Sequence, residues 1–508
     1  MNDARLDEAL TYEREGRFLE SLRECLRILG EQPGNVEALA LASRLSLLAG
    51  DAANAIAYAS EAVRAQPSSE AARRALDAAS QTQTDSARAL QMYREALKIE
   101  PGIEHHVAIP GSLAPPARAD RAQTLLDAAL KLDPGLAKAH AAAANLCVRR
   151  GEYLAALGGY QRATFISGKA EYALALSEIL FTLNDHNGAN FFRERALAQQ
   201  RFFTEDARGV PGRRNVLALM TPGPWPLNTP LDFAIDPSRV RLTRLYLSGA
   251  PVRPQELEPF DVIFNAIGEA QDAQGAIQLA KTIALMTKKR VLNDPAQSWK
   301  TSRTHLAAAL AGVAGCLVPQ AQRVTREQLQ SCTVFPSLAR PVDAHGGRGL
   351  VKLQNATGIA DYLREHNEPE FDITPFIEYR SADGYYRKYR VALVGGVPYP
   401  YHLAISPEWM VHYIGSPTGE TPWMQSEEER FLSDPRSVFP LWNQMFGEIA
   451  GAIGLDYFAI DCSLLPDGRV LIFEADIASL IHCREPAGSY KHRYVPAIFT
   501  ALDRLLSS

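Results

Sequence analysis

Leu455-Asp-Tyr-Phe-Ala-Ile-Asp461-Cys-Ser-Leu-Leu-Pro-Asp-Gly468-Arg-Val-Leu-Ile-Phe-Glu474-Ala-Asp476 is the stretch whose reading decides the rest. Two β-rich runs flank Pro466-Asp467-Gly468, a strong hairpin signal. With Asp467-Gly468 as a two-residue turn, Pro466 pairs with Arg469, and counting outward sets Asp461 directly opposite Glu474. Asp476 lies two residues further on and shares that face. The other face is Phe458, Ile460, Cys462, Leu464, Leu471 and Phe473, a core-facing set. Carboxylates opposed across a sheet repel unless a cation lies between them. Oxygen-only ligands favour Mg²⁺ or Mn²⁺, and Mg²⁺ usually accompanies nucleotide phosphates. The plainer reading is a pair of surface acids with salt-bridge partners. A three-residue Pro-Asp-Gly loop would shift the register by one and separate the pair.

The chain has 508 residues, more than one core accommodates, so two or three domains are expected. A net charge of -5 makes no electrostatic case for nucleic acid or an anionic membrane as partner. The start, Met-Asn-Asp-Ala-Arg-Leu-Asp-Glu, lacks the basic and apolar regions of a signal peptide. The most apolar run, Leu306 to Val318, is too short to span a bilayer. The cysteines at 25, 147, 316, 332, 462 and 483 form no CxxC pair and read as reduced thiols of a cytoplasmic protein.

Over the first two hundred residues the chain repeats itself. Pro33, Pro67, Pro101 and Pro134 are spaced 34, 34 and 33 apart. Gly16, Gly50 and Gly151 each stand 17 residues before a repeat end, at Pro33, Pro67 and Gly168. Between them recur Ala55 and Ala62, Ala89 and Ala96, Ala122 and Ala129, Ala156 and Ala163, Ala189 and Ala196. Each unit reads as two helices: Gly marks the turn, Ala lets helices approach closely, and Pro ends the second helix. Thr84 and Ala117 replace the turn Gly in units three and four, and Pro110-Gly111 to Pro115-Pro116 loosens the start of unit four. His105 and His106 read as loop residues. This pattern resembles the tetratricopeptide repeat family, with about five or six units over residues 1–200. The resemblance implies an all-α solenoid with a concave surface for a peptide or protein partner; a structural array, or one that forms a homodimer, is the alternative.

Residues 201–213 break the helical period and read as a linker. Arg214–Met220, Phe260–Asn265 and Arg290–Asn293 read as strands around a helix at Ala276–Met286, the pattern of an α/β layer with a parallel sheet. From Thr333 the chain turns strand-rich, so 214–315 reads as an α/β subdomain and 316–508 as an α+β assembly. Asn293-Asp-Pro295 ends a strand where ligand groups commonly emerge from such sheets.

Several groups in this half suit an anion. Trp299-Lys300-Thr-Ser-Arg303 opens a helix at its positive end, which a phosphate would explain and helix stabilisation would not; a solvated basic turn is the alternative. The strand Phe335–Pro341 carries Arg340 into His345-Gly346-Gly347-Arg348-Gly349, whose backbone amides could close over phosphates. It is no P-loop, because no Gly-Lys-Ser/Thr follows. Asp372 to Tyr379 could set adenine against its amides at Phe376 and Ile377, with Glu378 near the ribose. In Tyr386–Val397, a hairpin, Arg387, Lys388 and Arg390 are candidate substrate or phosphate contacts, with Lys388 and Arg390 on one face. Trp409 to Phe431 reads as an irregular, substrate-facing loop before a helix. His482, Arg484 and Lys491, after the acidic hairpin, are candidate contacts to a substrate carboxylate; a basic surface tail is the alternative.

Arg303, Arg340, the Gly346–Gly349 loop, Arg390, Asp461, Glu474 and Asp476, in that order over residues 214–508, resemble the ATP-grasp superfamily. Glutathione synthetase, D-alanine–D-alanine ligase and the ribosomal-protein glutamate ligases belong to it. The resemblance implies two α+β subdomains clasping ATP. It assigns metal to Asp461 and Glu474, with Asp476 beside them, adenine to residues 374–378, phosphates to the Gly loop, and the reacting phosphate to Arg390. The chain departs from the pattern in places. Arg303 and Arg340 stand where lysines are usual, Asp476 where Asn is usual, and Lys388 where an acid is common. The hinge carries Pro375, and Asp461 and Glu474 are one residue further apart than usual. The implied activity is an ATP-dependent carboxylate–amine (or thiol or hydroxyl) ligase using Mg²⁺ or Mn²⁺ and an acyl phosphate. Its small co-substrate would be a carboxylate or amine, and the repeat would present a peptide. A scaffold with a nucleotide-sensing or inactive grasp domain, and a phosphotransferase, are the alternatives.

Overall fold

The computed structural model describes residues 2–49, 51–100, 103, 116–204, 213–236, 239–249, 251–268, 273–342, 344, 347–411, 416–419, 421–483 and 488–507. The chain divides into two compact units, Met1–Ile179 and Leu180–Ser508. No helix among the described residues is long and apolar enough to cross a membrane.

The first unit is helical. Its elements are α1 (Asn2–Arg14), α2 (Phe18–Glu31), α3 (Val36–Leu48), α4 (Ala52–Ala65), α5 (Glu70–Ile99), α6 (Pro116–Leu132), α7 (Ala137–Arg149) and α8 (Tyr153–Ser167). Helix α9 (Ala170–Thr182) crosses into the second unit, which opens with α10 (His186–Gln199). All ten alanines picked out by the repeat are fully buried, as expected where helix axes approach closely. Gly16 and Gly151 adopt φ of +74° and +75° between α1 and α2 and between α7 and α8, the left-handed turn the pattern requires.

Unit three departs from the expected helix pair. Helix α5 is a single helix of 30 residues. Thr84, where a turn Gly would stand, sits inside it and donates its hydroxyl to Ser80 O at 2.9 Å. Nothing in Ser80–Arg88 breaks the hydrogen-bond ladder, so the helix propagates through. Its second half packs on α6, with Tyr93, Ala96, Ala122 and Leu126 in one cluster. His105 and His106 lie outside the described residues.

The second unit holds three sheets. The first is ordered β1-β3-β2-β4-β5, from β1 (Phe202–Thr204), β2 (Arg214–Met220), β3 (Val240–Tyr246), β4 (Val262–Asn265) and β5 (Arg290–Leu292). All neighbours are parallel except β1, an edge strand within the stretch expected as linker. A short helix α11 (Pro254–Leu257) precedes β4, and α12 (Gln274–Met286) packs Ile277, Ala280 and Ile283 on the sheet. Strand β3, between β1 and β2, was not expected; Arg241 and Arg244 interrupt its apolar pattern. Helix α13 (Arg303–Ala309) follows.

The second sheet is ordered β7-β10-β8-β9 and the third β12-β11-β13-β14-β6. Their strands are β6 (Cys316–Leu317), β7 (Gln322–Thr325), β8 (Ser337–Pro341), β9 (Val351–Leu353), β10 (Glu370–Pro375), β11 (Tyr386–Val394), β12 (Val397–Ser406), β13 (Tyr457–Leu464) and β14 (Val470–Asp476). Helices α14 (Arg326–Gln330) and α15 (Ala356–Glu365) cover the second sheet. Helices α16 (Pro422–Ser433) and α17 (Trp442–Ile453) cover one face of the third, and α18 (Pro496–Ser507) ends the chain. The α/β and α+β layers are therefore present as expected. Trp423–Phe431, expected as loop, is helical and buries Met424 and Phe431 in the core.

The acidic hairpin reaches its expected pairing by another route. Its loop has three residues: Leu465 N donates to Arg469 O and Gly468 N to Leu465 O, both at 2.9 Å, and Gly468 takes φ +85°. Leu464 therefore pairs with Val470 and Cys462 with Ile472, one residue off the counted register. A bulge at Phe473 then restores Asp461 opposite Glu474. The shift moves the faces too. Ile472 joins Phe458, Ile460 and Cys462 in the core, while Leu471 and Phe473 turn to the opposite side beside Phe376 and Tyr379.

Candidate functional site

Four adjacent strands carry one row of polar residues. His402 on β12 pairs with Arg390 on β11, Arg390 with Asp461 on β13, and Asp461 with Glu474 on β14. Cross-strand partners share a face, so the row faces away from the α16–α17 core. Arg390 grips Asp461 with both arms: Nε donates to Oδ1 at 2.6 Å and Nη2 to Oδ2 at 2.9 Å. Lys388 Nζ stands 3.0 Å from the same Oδ2, and Arg390 Nη2 is 4.0 Å from Glu474. Burial alone would raise the Asp461 carboxyl, but the charges of Arg390 and Lys388 hold it well below the usual carboxylate range. Burial likewise works against the Arg390 charge, and Asp461 more than restores it.

His402 is a residue that sequence reasoning missed. Counted from the Gly395-Gly396 turn, Tyr401 should oppose Arg390; a bulge between Arg390 and Val391 brings His402 there instead. Burial, with the Arg390 charge beside it, holds this imidazole well below its ordinary range.

A second cationic group converges nearby. Arg303, the first residue of α13, donates Nη2 to Ala344 O at 3.1 Å, and Arg340 on β8 donates to the same oxygen. Buried Asp372, opposite Arg340 on β10, draws Arg303 at 3.7 Å and Arg323 at 3.4 Å. Burial and the neighbouring Arg303 bring Arg340 down to about 10, with Glu474 and Asp372 acting against that shift. Arg340 and the acidic row thus lie within electrostatic reach of each other. Arg340 Nε is buried with no hydrogen-bond partner among the described residues, a group suited to an incoming anion.

Of the Gly loop, Gly347 and Gly349 adopt φ of +77° and +64°. A Cβ on Gly349 would meet Pro341 Cδ at 2.8 Å, so this glycine is needed for the loop to close on β8. His345 and Gly346 lie outside the described residues.

The expected adenine segment forms an apolar wall. Phe376 is buried with Tyr379, Tyr386 and Leu471, and the half-buried Ile377 packs against them. The Phe376 amide donates to Pro336 O at 2.9 Å, so this amide is engaged within the fold. Exposed Glu378 folds back to accept from its own neighbours, Tyr379 N and Arg380 N, at 3.1 Å each. Lys352, also missed, lies with Nζ 3.4 Å from the Phe376 ring centroid. Its signal was the alternation Val351-Lys352-Leu353 leaving the Gly loop.

Other candidates are not brought to this site. Arg387 points to the other face, held by Glu427 at 2.6 and 2.9 Å and by Asp383 at 2.7 and 3.0 Å. Lys491 is buried against Glu428 at 3.0 Å, and Lys300 donates to Ala452 O at 2.8 Å. Asn293 clips two elements together, exchanging hydrogen bonds of 2.7 Å with Tyr457 N and O. His482 has its backbone amide 3.0 Å from the Tyr401 hydroxyl, one residue from the row. Arg484 lies outside the described residues.

Among the described residues no three of His, Cys, Asp and Glu are grouped as metal ligands. Asp461 spends both oxygens on Arg390 and Lys388, which leaves Glu474 and Asp476. Burial and the charge of Glu474 push the Asp476 carboxyl up to about 6. Two carboxylates on one face of one strand, with Asp476 Oδ1 also accepting from Ala478 N at 2.8 Å, fit a Mg²⁺ ion, which commonly takes one or two carboxylates and completes its shell with phosphate oxygens and water.

No protein-family model matches the chain, and no curated protein matches it. Solved structures do. Its C-terminal part is similar to an ATP-grasp RimK domain protein from Sphaerobacter thermophilus (12% identity, TM-score 0.35, 58% of this chain and 100% of that one). It is also similar to the D-alanine–D-alanine ligase from Coxiella burnetii (10%, TM-score 0.34, 58% and 98%). The N-terminal part is similar to a tetratricopeptide protein from Thermus thermophilus (21%, TM-score 0.16, 39% and 91%). At such identities and scores the likenesses say nothing about activity, which has to be read from the site.

Proposed function

We propose that the second unit is an ATP-dependent ligase that joins a carboxylate to an amine, or to a thiol or hydroxyl, through an acyl phosphate. The observation that supports this most is the row His402–Arg390–Asp461–Glu474, with Arg340 within reach of its acidic end. Such a site faces anions with fixed cations and keeps carboxylates for a metal. Arg303 and Arg340 would hold phosphates. Asp461 orients Arg390 and Lys388, and Arg390 would stabilise the phosphoryl group as it passes to the substrate carboxylate. The wall around Phe376, with Lys352, would receive the base. Mg²⁺ or Mn²⁺ on Glu474 and Asp476 would neutralise phosphate charge. The amine then displaces phosphate, so positioning and charge neutralisation suffice for the chemistry. On this reading residues 214–508 are the catalytic part, 201–213 the linker, and the repeat of residues 1–200 presents a peptide or protein substrate.

The test is release of ADP and phosphate from Mg-ATP by the full chain in the presence of candidate peptides and amino acids. Arg390→Gln should lower turnover by roughly a hundredfold or more, the usual cost of one group stabilising transition-state charge. A stable phosphorylated product without free phosphate would instead make the protein a phosphotransferase. The engagement of both Asp461 oxygens favours one other reading, a nucleotide-sensing module without turnover. On that reading nucleotide binds, no phosphate appears, and Asp461→Asn leaves cellular function intact.

A further inference from the structure

Beyond the nucleotide site, Cys483 Sγ lies 3.3 Å from His492 Nδ1, a thiol and an imidazole within hydrogen-bond reach on two separate segments. Both segments are anchored. The residue before Cys483, His482, has its amide 3.0 Å from the Tyr401 hydroxyl. The residue before His492, buried Lys491, lies 3.0 Å from Glu428, whose carboxylate also accepts from Leu403 N at 3.1 Å and from the Tyr490 hydroxyl. Each anchor ends on β12, at residues 401 and 403, which flank His402 of the row. The pair is therefore preorganised rather than a chance meeting of two surface side chains. Cys483 is half-buried and His492 exposed, so a small reagent can reach the sulfur.

We propose that Cys483 and His492 form a nucleophile–base pair that makes Cys483 a site of reversible modification by small disulfides. His492 takes the thiol proton. The thiolate attacks one sulfur of the disulfide, forming a Cys483 mixed disulfide and breaking the reagent's S–S bond. The departing thiolate takes the proton from the imidazolium. Four of the other cysteines compete poorly. Burial pushes Cys25 up to about 12 and Cys147 and Cys316 up to about 11, and it raises Cys462 well above the ordinary thiol range. Cys332, half-buried and 3.8 Å from Val334 O, is the control thiol.

The experiment is the reaction of the reduced full chain with an aromatic disulfide that releases a coloured thiol. One equivalent should react in a fast phase that Cys483→Ser removes and Cys332→Ser leaves. A neighbouring imidazole base raises the thiolate fraction of a thiol by more than it lowers the thiolate's nucleophilicity. His492→Gln should therefore slow the fast phase roughly threefold. His492 is exposed, so this change leaves the fold in place, and His492→Asn repeats the test with a second side chain. Survival of the fast phase in Cys483→Ser, or native rates in both His492 variants, would overturn the proposal.

Discussion

Arg390 and Asp461 form a buried ion pair whose members are costly to separate. Asp461 is 2% exposed, so Arg390→Ala leaves a desolvated carboxylate with Lys388 as its remaining partner. Breaking such pairs costs about 3–5 kcal/mol, and Lys388 places this one near the low end. Urea unfolding of the second unit should show that loss. Asp476 makes the opposite kind of contribution. Its folded carboxyl titrates at about 6, above the unfolded value of about 3.9. The unfolded chain therefore releases this proton first. The contribution is fully present below about pH 4, declines between about pH 4 and 6, and is lost above that. Asp476→Asn should remove this slope and stabilise the second unit at pH 7.5, and Mg²⁺ should do the same for the native chain. A native stability that is flat from pH 4 to 7 would contradict the assignment. At this scale the Asp461–Glu474 pairing is reached only through a bulge that compensates a three-residue loop, whereas Lys388 and Arg390 were legible as one face because a strand has a period of two. His402 was not, because its place depends on a bulge that no local pattern announces.

Two elements show how local chemistry and packing divide the decision. The hairpin loop uses Gly468 at φ +85°, so Gly468→Ala should cost more than about 1 kcal/mol, read as a lower denaturation midpoint. Asp467 also holds Arg469 at 2.8 Å, an exposed pair that contributes little. Helix α5 provides the second case. Because it runs unbroken through Thr84, Thr84→Pro should cost about 3 kcal/mol or more in the first unit, measured by circular dichroism. Were residue 84 a turn, as the repeat's spacing implies, the same change would be nearly neutral. The alanines at Ala89 and Ala96 kept their predicted burial although the turn before them vanished. Helix contacts are set by side-chain size at fixed intervals, whereas a turn needs a residue that stops propagation, and Thr84 does not.

For the whole molecule, nucleotide should act on one unit alone. Mg-ATP at a hundred times its dissociation constant adds roughly 2.7 kcal/mol to whatever folded state binds it. Calorimetry of the full chain should show the second unit's transition rise and the first unit's stay put, with Glu474→Gln/Asp476→Asn abolishing the rise. No shift with either ATP or ADP would remove the basis of the ligase reading. The sequence by itself determined the helical array, through buried alanines at fixed spacing, and the α/β and α+β layers that follow it. The opposed acids of the hairpin were counted from a two-residue turn, and the structure sets them opposite each other through a three-residue loop and a bulge at Phe473. Tertiary structure alone decided which cations answer those acids. Arg390 lies 71 positions from Asp461 in the chain, and only the pairing of β11 with β13 sets them opposite. It also decided that Arg387 faces α16, that Lys352 covers Phe376, and that Asp461 is already neutralised. Each of these depends on which strand lies beside which and on where a bulge falls, information that residue spacing within one segment does not contain.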